Sequence, residues 1–251
     1  MKKFYSVLAV LTAVSLTSYA SIAHDDSGNL DYAGGSFAGL NDGYGFGAWI
    51  VSGTGGGSYV DMANRGTTGF RLWADDGANN SAAVRNFDSA LSAGHTFSLN
   101  LGHFGGNNGQ VGISLLSAGA PVFNINISSG ASYWSGWDGG TSFDLNGDEE
   151  EGMADYFTTD NNVASFTFTY DGGNNYGFSL KDEGGNGFEA SNYTAGNDIS
   201  AIDGVTFYNN GQGGGKNFYV DQLTVIPEPA TVGLLGLFGS SLAWFRKRFS
   251  A

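Results

Sequence analysis

The chain has 251 residues but no cysteine, only three prolines and, between residues 24 and 226, only five basic side chains. Without cysteine there can be no disulfide and no thiolate-held metal, so the fold must be held by its core. Scarce proline excludes a proline-rich linker. The few cations of the body, Arg65, Arg71, Arg85, Lys181 and Lys216, stand against 23 acidic residues, a net charge of −18 for that stretch. Such a field repels phosphate backbones and excludes nucleic acid as a partner, while it favours solubility and the approach of cations. Apolar residues spaced three and four apart are also missing from the body, so no helical stripe is predicted there.

Catalytic constellations are missing as well. His95 and His103 flank one strand, and neither has a carboxylate or serine at a spacing that makes it a base or a ligand. Glu149, Glu150 and Glu151 are consecutive in a glycine-bounded loop, a poor way to hold two carboxyls about 5 Å apart for glycoside cleavage. No glycine-rich phosphate loop leads into a helix. The body is therefore expected to be non-catalytic.

What is abundant is glycine, 42 residues, together with 19 Phe, 12 Tyr and 5 Trp. Aromatic side chains supply a core, and glycine supplies the positive φ of tight turns. Apolar residues alternate along Phe46–Val51, Thr67–Ala74, Ala82–Phe87, His95–Leu101, Gln110–Leu116, Val122–Ile127, Ser132–Trp137, Val163–Tyr170, Tyr176–Leu180, Gly204–Tyr208 and Phe218–Val225. In Val163–Tyr170 the pattern puts Phe166, Phe168 and Tyr170 on one face and threonines on the other. Turn clusters such as Gly105-Gly106-Asn107-Asn108-Gly109 separate these segments. About eleven short strands with no break in composition predict one all-β domain over residues 24–226, an antiparallel β-sandwich.

The two ends differ from the body. Lys2 and Lys3, the apolar run Phe4–Leu16 and the small residues up to Ala23 form a secretory signal peptide, residues 1–23, with Ala20 or Ala23 as the last residue removed. At the other end Ala230–Phe245 is apolar, about 24 Å as a helix and slightly short of the roughly 30 Å hydrocarbon core. Arg246, Lys247 and Arg248 follow it as a basic stop that stays cytoplasmic, which places the body outside. Ahead of it, Pro227 and Pro229 hold Glu228 in a non-helical, exposed stretch.

Residues 227–251, with Pro227-Glu228-Pro229, an apolar helix and a basic end, resemble the PEP-CTERM sorting signal of Gram-negative bacteria that make exopolysaccharide. That resemblance implies recognition by exosortase, a membrane processing enzyme, transient membrane attachment through the C-terminal helix, and delivery to the cell envelope, outer surface or extracellular matrix. Leu91–Leu99, Gln110–Leu116 and Phe218–Val225 resemble the strands of concanavalin- and laminin-G-like jelly rolls, with a galactose-binding-type jelly roll as the competing assignment. The end signals and the missing catalytic constellation point to a non-catalytic surface or matrix component; a module that binds extracellular polysaccharide is the second reading, and the alternative is a carbohydrate-active enzyme, a glycoside hydrolase or lyase, on the same scaffold.

Two stretches carry candidate ligand chemistry. Asp144, Asn146, Asp148, Glu150 and Asp155 put oxygens at positions 1, 3, 5, 7 and 12 of a loop resembling an EF-hand calcium site, although position 6 is Glu149 where glycine belongs. The other reading is a solvated acidic loop. In Tyr133-Trp134-Ser135-Gly136-Trp137-Asp138, the aromatic rings of Tyr133, Trp134 and Trp137 are candidate sugar platforms and Asp138 a hydroxyl acceptor. Strand alternation puts Tyr133 and Trp137 on one face and Trp134 on the other, so at least one tryptophan is expected in the core.

Overall fold

The structure, a computed structural model, describes residues 21–227 except 29–31, 33–34, 55, 63–67, 75, 104–108, 129–133, 141, 146–162, 183, 186 and 213–216. The segment before Ser21, the tail after Pro227 and most of the acidic loop lie outside the described residues. Among the described residues fifteen strands follow one another. These are β1 (Ala23–Asp25), β2 (Ile50–Thr54), β3 (Gly56–Met62), β4 (Thr68–Ala74), β5 (Asp76–Asn86), β6 (His95–His103), β7 (Gln110–Ser117) and β8 (Ala120–Ser128). They continue as β9 (Ser135–Trp137), β10 (Ser142–Asp144), β11 (Val163–Gly172), β12 (Asn175–Asp182), β13 (Gly187–Thr194), β14 (Ile202–Gln212) and β15 (Asn217–Pro227). No helix among the described residues is long and apolar enough to cross a membrane.

The strands form two antiparallel sheets packed as a sandwich. One runs β13-β12-β11-β6-β15-β4-β3, with β1 added against β15; the other runs β10-β9-β8-β7-β14-β5-β2. The inward residues interdigitate between them: Phe97, Leu99, Phe166, Phe168, Phe178 and Phe218 from the first sheet, Val111, Ile113, Phe123, Ile125, Val205 and Phe207 from the second. Phe123 sits at the centre of an aromatic cluster, with ring centroids 5.1 Å from Phe168, 5.2 Å from Phe178 and 5.5 Å from Tyr176. Phe166, Phe168 and Tyr170 are buried as the alternation predicts, while Thr167 and Thr169 are part-exposed on the opposite face.

Four strands lack the alternation that would have announced them. β1 and β10 are three residues long, β3 opens on two glycines, and β13 is an edge strand whose side chains are mostly exposed. The segment expected at Phe46–Val51 becomes β2 only from Ile50; Phe46 forms an isolated bridge with Phe87. Of the segment expected at Ser132–Trp137, Ser132 and Tyr133 lie outside the described residues and the strand runs over Ser135–Trp137. In β15, Phe218 and Val220 point inward and so do Leu223 and Val225, a slip of one in the alternation. Gln222, at φ 52°, lies at the slip, where β15 exchanges β4 as a partner for β1.

Candidate functional site

Because β7, β8 and β14 turn their apolar residues into the core, the residues between them face outward. On β8 these are Asn124 and Asn126, on β7 Gln110, Gly112 and Ser114, and on β14 Thr206, Tyr208 and Asn210. Asparagine is depleted in strands because its amide competes with backbone pairing. Two on one face of an interior strand therefore need partners elsewhere. With Pro121, Trp137 and Ser142, these outward side chains line a broad, open groove of about 620 Å³.

Register aligns the groove in rows. Thr206 stands beside Ser114, Ser114 beside Asn124, Asn124 beside Trp137 and Trp137 beside Ser142, five strands in succession. In the next row Tyr208, Gly112, Asn126 and Ser135 are neighbours. Hydrogen bonds join the rows into a ladder. Asn124 Nδ2 donates to Ser114 Oγ at 2.8 Å and to Tyr208 OH at 3.0 Å. Asn126 Nδ2 donates to Asn124 Oδ1 at 2.7 Å, and Asn126 Oδ1 accepts from Gln110 Nε2 at 2.8 Å and Ser135 Oγ at 3.2 Å.

Gly112 makes the long reach of Tyr208 possible. A Cβ there would stand 2.5 Å from the Tyr208 hydroxyl and 2.5 Å from the Ile125 carbonyl oxygen, so only glycine lets the phenol lie across β7 toward β8. Burial pushes the Tyr208 phenol above its ordinary pKa, against a smaller opposing effect of the Asn124 hydrogen bond. The hydroxyl stays protonated and neutral, and while it accepts from Asn124 its own proton remains to be donated.

The aromatic stretch is divided between core and groove. Trp137 is half-buried and lines the groove. Trp134 is completely buried and offers no face to a ligand. Asp138 is 3 % exposed and turned inward, accepting from Tyr176 OH at 3.0 Å and from the Gly140 amide at 3.3 Å, so it is not an outward hydroxyl acceptor. Burial, followed by the Asp138 charge, pushes the Tyr176 phenol far above its ordinary range. Tyr133 lies outside the described residues. Of the calcium-type loop, Asp144 ends β10, and Asn146, Asp148, Glu150 and Asp155 lie outside the described residues. Among the described residues no three or more His, Cys, Asp or Glu side chains are grouped to hold a metal. His95 belongs to the opposite sheet; burial lowers its pKa, and its Nδ1 accepts from the Ser92 amide at 3.1 Å.

A second polar cluster is internal. Asp25 on β1 and Arg85 on β5 are both fully buried and paired at 2.6 Å across the two sheets. Asp25 also accepts from Tyr32 OH at 3.0 Å and Trp49 Nε1 at 3.2 Å. Arg85 donates to Asn41 Oδ1 at 2.7 Å and to the Gly47 carbonyl, and its guanidinium lies 5.0 Å from the Trp49 ring centre. Burial raises the Asp25 pKa and the Arg85 charge works against that rise. The Asp25 carboxylate and both terminal nitrogens of Arg85 are satisfied internally, while Arg85 Nε is buried without a hydrogen-bond partner among the described residues; the paired charges make the cluster a cross-sheet fastening.

Sequence reasoning singled out Trp137 but not Gln110, Ser114, Asn124, Asn126, Thr206 or Tyr208. The available signal was Phe123-Asn124-Ile125-Asn126-Ile127, where asparagine occupies both outward positions of a five-residue stretch with a fully apolar inner face.

No protein-family model and no curated protein sequence matches the chain. Solved structures resemble it in fold. The carbohydrate esterase of the Shiga toxin-encoding bacteriophage phi24B is 12% identical, with a TM-score of 0.49 over 84% of this chain and 100% of that one. The endo-β-1,4-glucuronan lyase of the fungus Trichoderma reesei is 10% identical, with a TM-score of 0.45 over 83% of this chain and 96% of that one. Galectin LEC-6 of Caenorhabditis elegans is 14% identical, with a TM-score of 0.35 over 55% of this chain and 85% of that one. None of these similarities assigns an activity to this chain.

Proposed function

We propose that the domain is a non-catalytic glycan-binding module and that the groove on the seven-stranded sheet is its binding site. The hydrogen-bonded ladder Tyr208–Asn124–Asn126–Gln110, bordered by Trp137, carries this reading. A sugar ring presents hydroxyls that both donate and accept around an apolar C–H face. Carboxamides and a protonated phenol match the hydroxyls, and an indole matches the C–H face. Because the amides are already held by one another, little side-chain freedom is lost on binding. The described residues lining the groove include no carboxylate or histidine, the groups that would cut a glycosidic bond.

In the same proposal the protein is exported by residues 1–23 and sorted by an exosortase at Pro227-Glu228-Pro229, to act at the cell surface or in the exopolysaccharide matrix. Support comes from the order of the end signals and from β15, whose last residue is Pro227, so the motif begins where the sheet stops.

The test is titration of the purified domain with an oligosaccharide panel, for wild type, Asn124→Ala and Trp137→Ala. Each replacement is expected to weaken binding at least about tenfold, roughly 1.4 kcal/mol, with the fold retained by circular dichroism. Unchanged affinity in both variants, or hydrolysis of polysaccharides at enzyme-like rates, would overturn the reading.

A further inference from the structure

We infer that the groove takes an uncharged polysaccharide segment laid across the strands, and that it excludes glycans bearing uronate or sulfate groups. This rests on the groove being the glycan site and names the class of glycan.

An anionic sugar in a protein site is normally met by arginine or lysine, whose fork or point charge offsets the cost of removing the anion from water. Of the body's five basic residues, Arg71 lies on β4 and Lys181 on β12, both in the opposite sheet. Arg71 Nε donates to Asn217 Oδ1 at 2.7 Å, and Lys181 pairs with Glu189. Arg85 belongs to the groove's own sheet but points inward and is fully buried against Asp25. Arg65 and Lys216 lie outside the described residues. No described cation therefore reaches the outer face of β10-β9-β8-β7-β14, and residues 24–226 taken together carry a net −18. A net charge of this sign disfavours the approach of a polyanion, most strongly at low salt, where screening is weakest.

What the groove offers instead is uncharged at every described lining position. Gln110, Asn124 and Asn126 are amides, Ser114, Ser142 and Thr206 are hydroxyls, and Tyr208 remains a neutral phenol. These groups exchange hydrogen bonds with hydroxyls in either direction, whereas a carboxylate or sulfate accepts only. The row Thr206-Ser114-Asn124-Trp137-Ser142 crosses five strands, and at about 4.8 Å per strand it is roughly 19 Å long. That length suits several linked sugar rings, so affinity should grow with chain length until the row is filled.

The experiment uses the folded domain and two sets of probes at low and at physiological salt: neutral glucan and galactan oligosaccharides of increasing length, and polygalacturonate and alginate oligosaccharides of matched length. The expected result is binding of neutral chains, insensitive to salt and at least tenfold tighter for a tetrasaccharide than for a monosaccharide, with the acidic chains at least tenfold weaker at low salt. A second variant, Asn210→Lys at the exposed rim of the groove, is expected to gain salt-sensitive affinity for the acidic chains. Acidic chains binding wild type as well as neutral ones, or a monosaccharide binding as tightly as a tetrasaccharide, would overturn this inference and leave the glycan site standing. Binding of none of the probes would overturn both.

Discussion

Asp25 and Arg85 show how much can depend on one pair of side chains. Both are stripped of water, and each is the main charge partner of the other. Replacing Asp25 by alanine leaves a buried guanidinium without its carboxylate, a change that costs about 3–5 kcal/mol in comparable buried pairs. Urea unfolding of Asp25→Ala should show a loss of that size, and the double replacement Asp25→Leu with Arg85→Met should recover much of it. A loss near zero in the single variant would mean that water reaches the pair. Asp221 gives a pH prediction. Burial raises its carboxyl pKa, the Ser27 amide bonded at 2.8 Å works against the rise, and the Asp26 charge adds to it. A carboxyl with a raised folded-state pKa favours folding when protonated, so its contribution is present at low pH and is lost as pH rises through that raised value. The stability of wild type relative to Asp221→Asn is thus expected to decline from acid toward neutral pH in parallel thermal melts; a gap that widens in favour of wild type on the same climb would show the opposite shift.

At the level of elements, β1 is one of the three-residue strands, yet it contributes to both the sheet and the cross-sheet fastening. The Ile22 amide donates to the Val225 carbonyl at 2.8 Å, Ala23 is 3 % exposed, and Asp25 enters the cross-sheet fastening. The signal pattern allows removal after Ala20 or after Ala23, but the second cut would strip Ile22 and Ala23 from the sheet. If the chain is exported as proposed, N-terminal sequencing of the mature protein should therefore begin Ser21-Ile22-Ala23; a chain beginning at His24 would show that the sheet forms without them. Strands of this kind mark the limit of sequence reading. Val163–Tyr170 could be read directly because Phe166, Phe168 and Tyr170 alternate without interruption, and the sandwich class followed from repeated segments of that type. β1 carries its meaning in one buried carboxylate, and the alternation in β15 slips at Gln222, so local periodicity was silent or misleading there. The groove was hidden for another reason. Asn124 and Tyr208 are 84 positions apart and meet only through the register of β8, β7 and β14, which no local pattern specifies.

For the whole molecule, the proposed route makes a prediction about mass. If an exosortase releases the domain at Pro227-Glu228-Pro229, the mature protein in the matrix should lack Arg246, Lys247 and Arg248, and intact mass spectrometry would detect them if it does not. If the chain is exported as proposed, the sheet order also bears on when it can fold. β15, residues 217–227, lies between β6 and β4, and the first strand of the domain pairs with it in turn. The eight-stranded sheet thus remains open at its middle until the end of the body has emerged, and contacts between strands so distant in sequence form slowly, in milliseconds to seconds. A chain arranged in this way cannot lock shut while it is still being threaded. On the proposed route, an interior last strand would make the completion of export the trigger for folding.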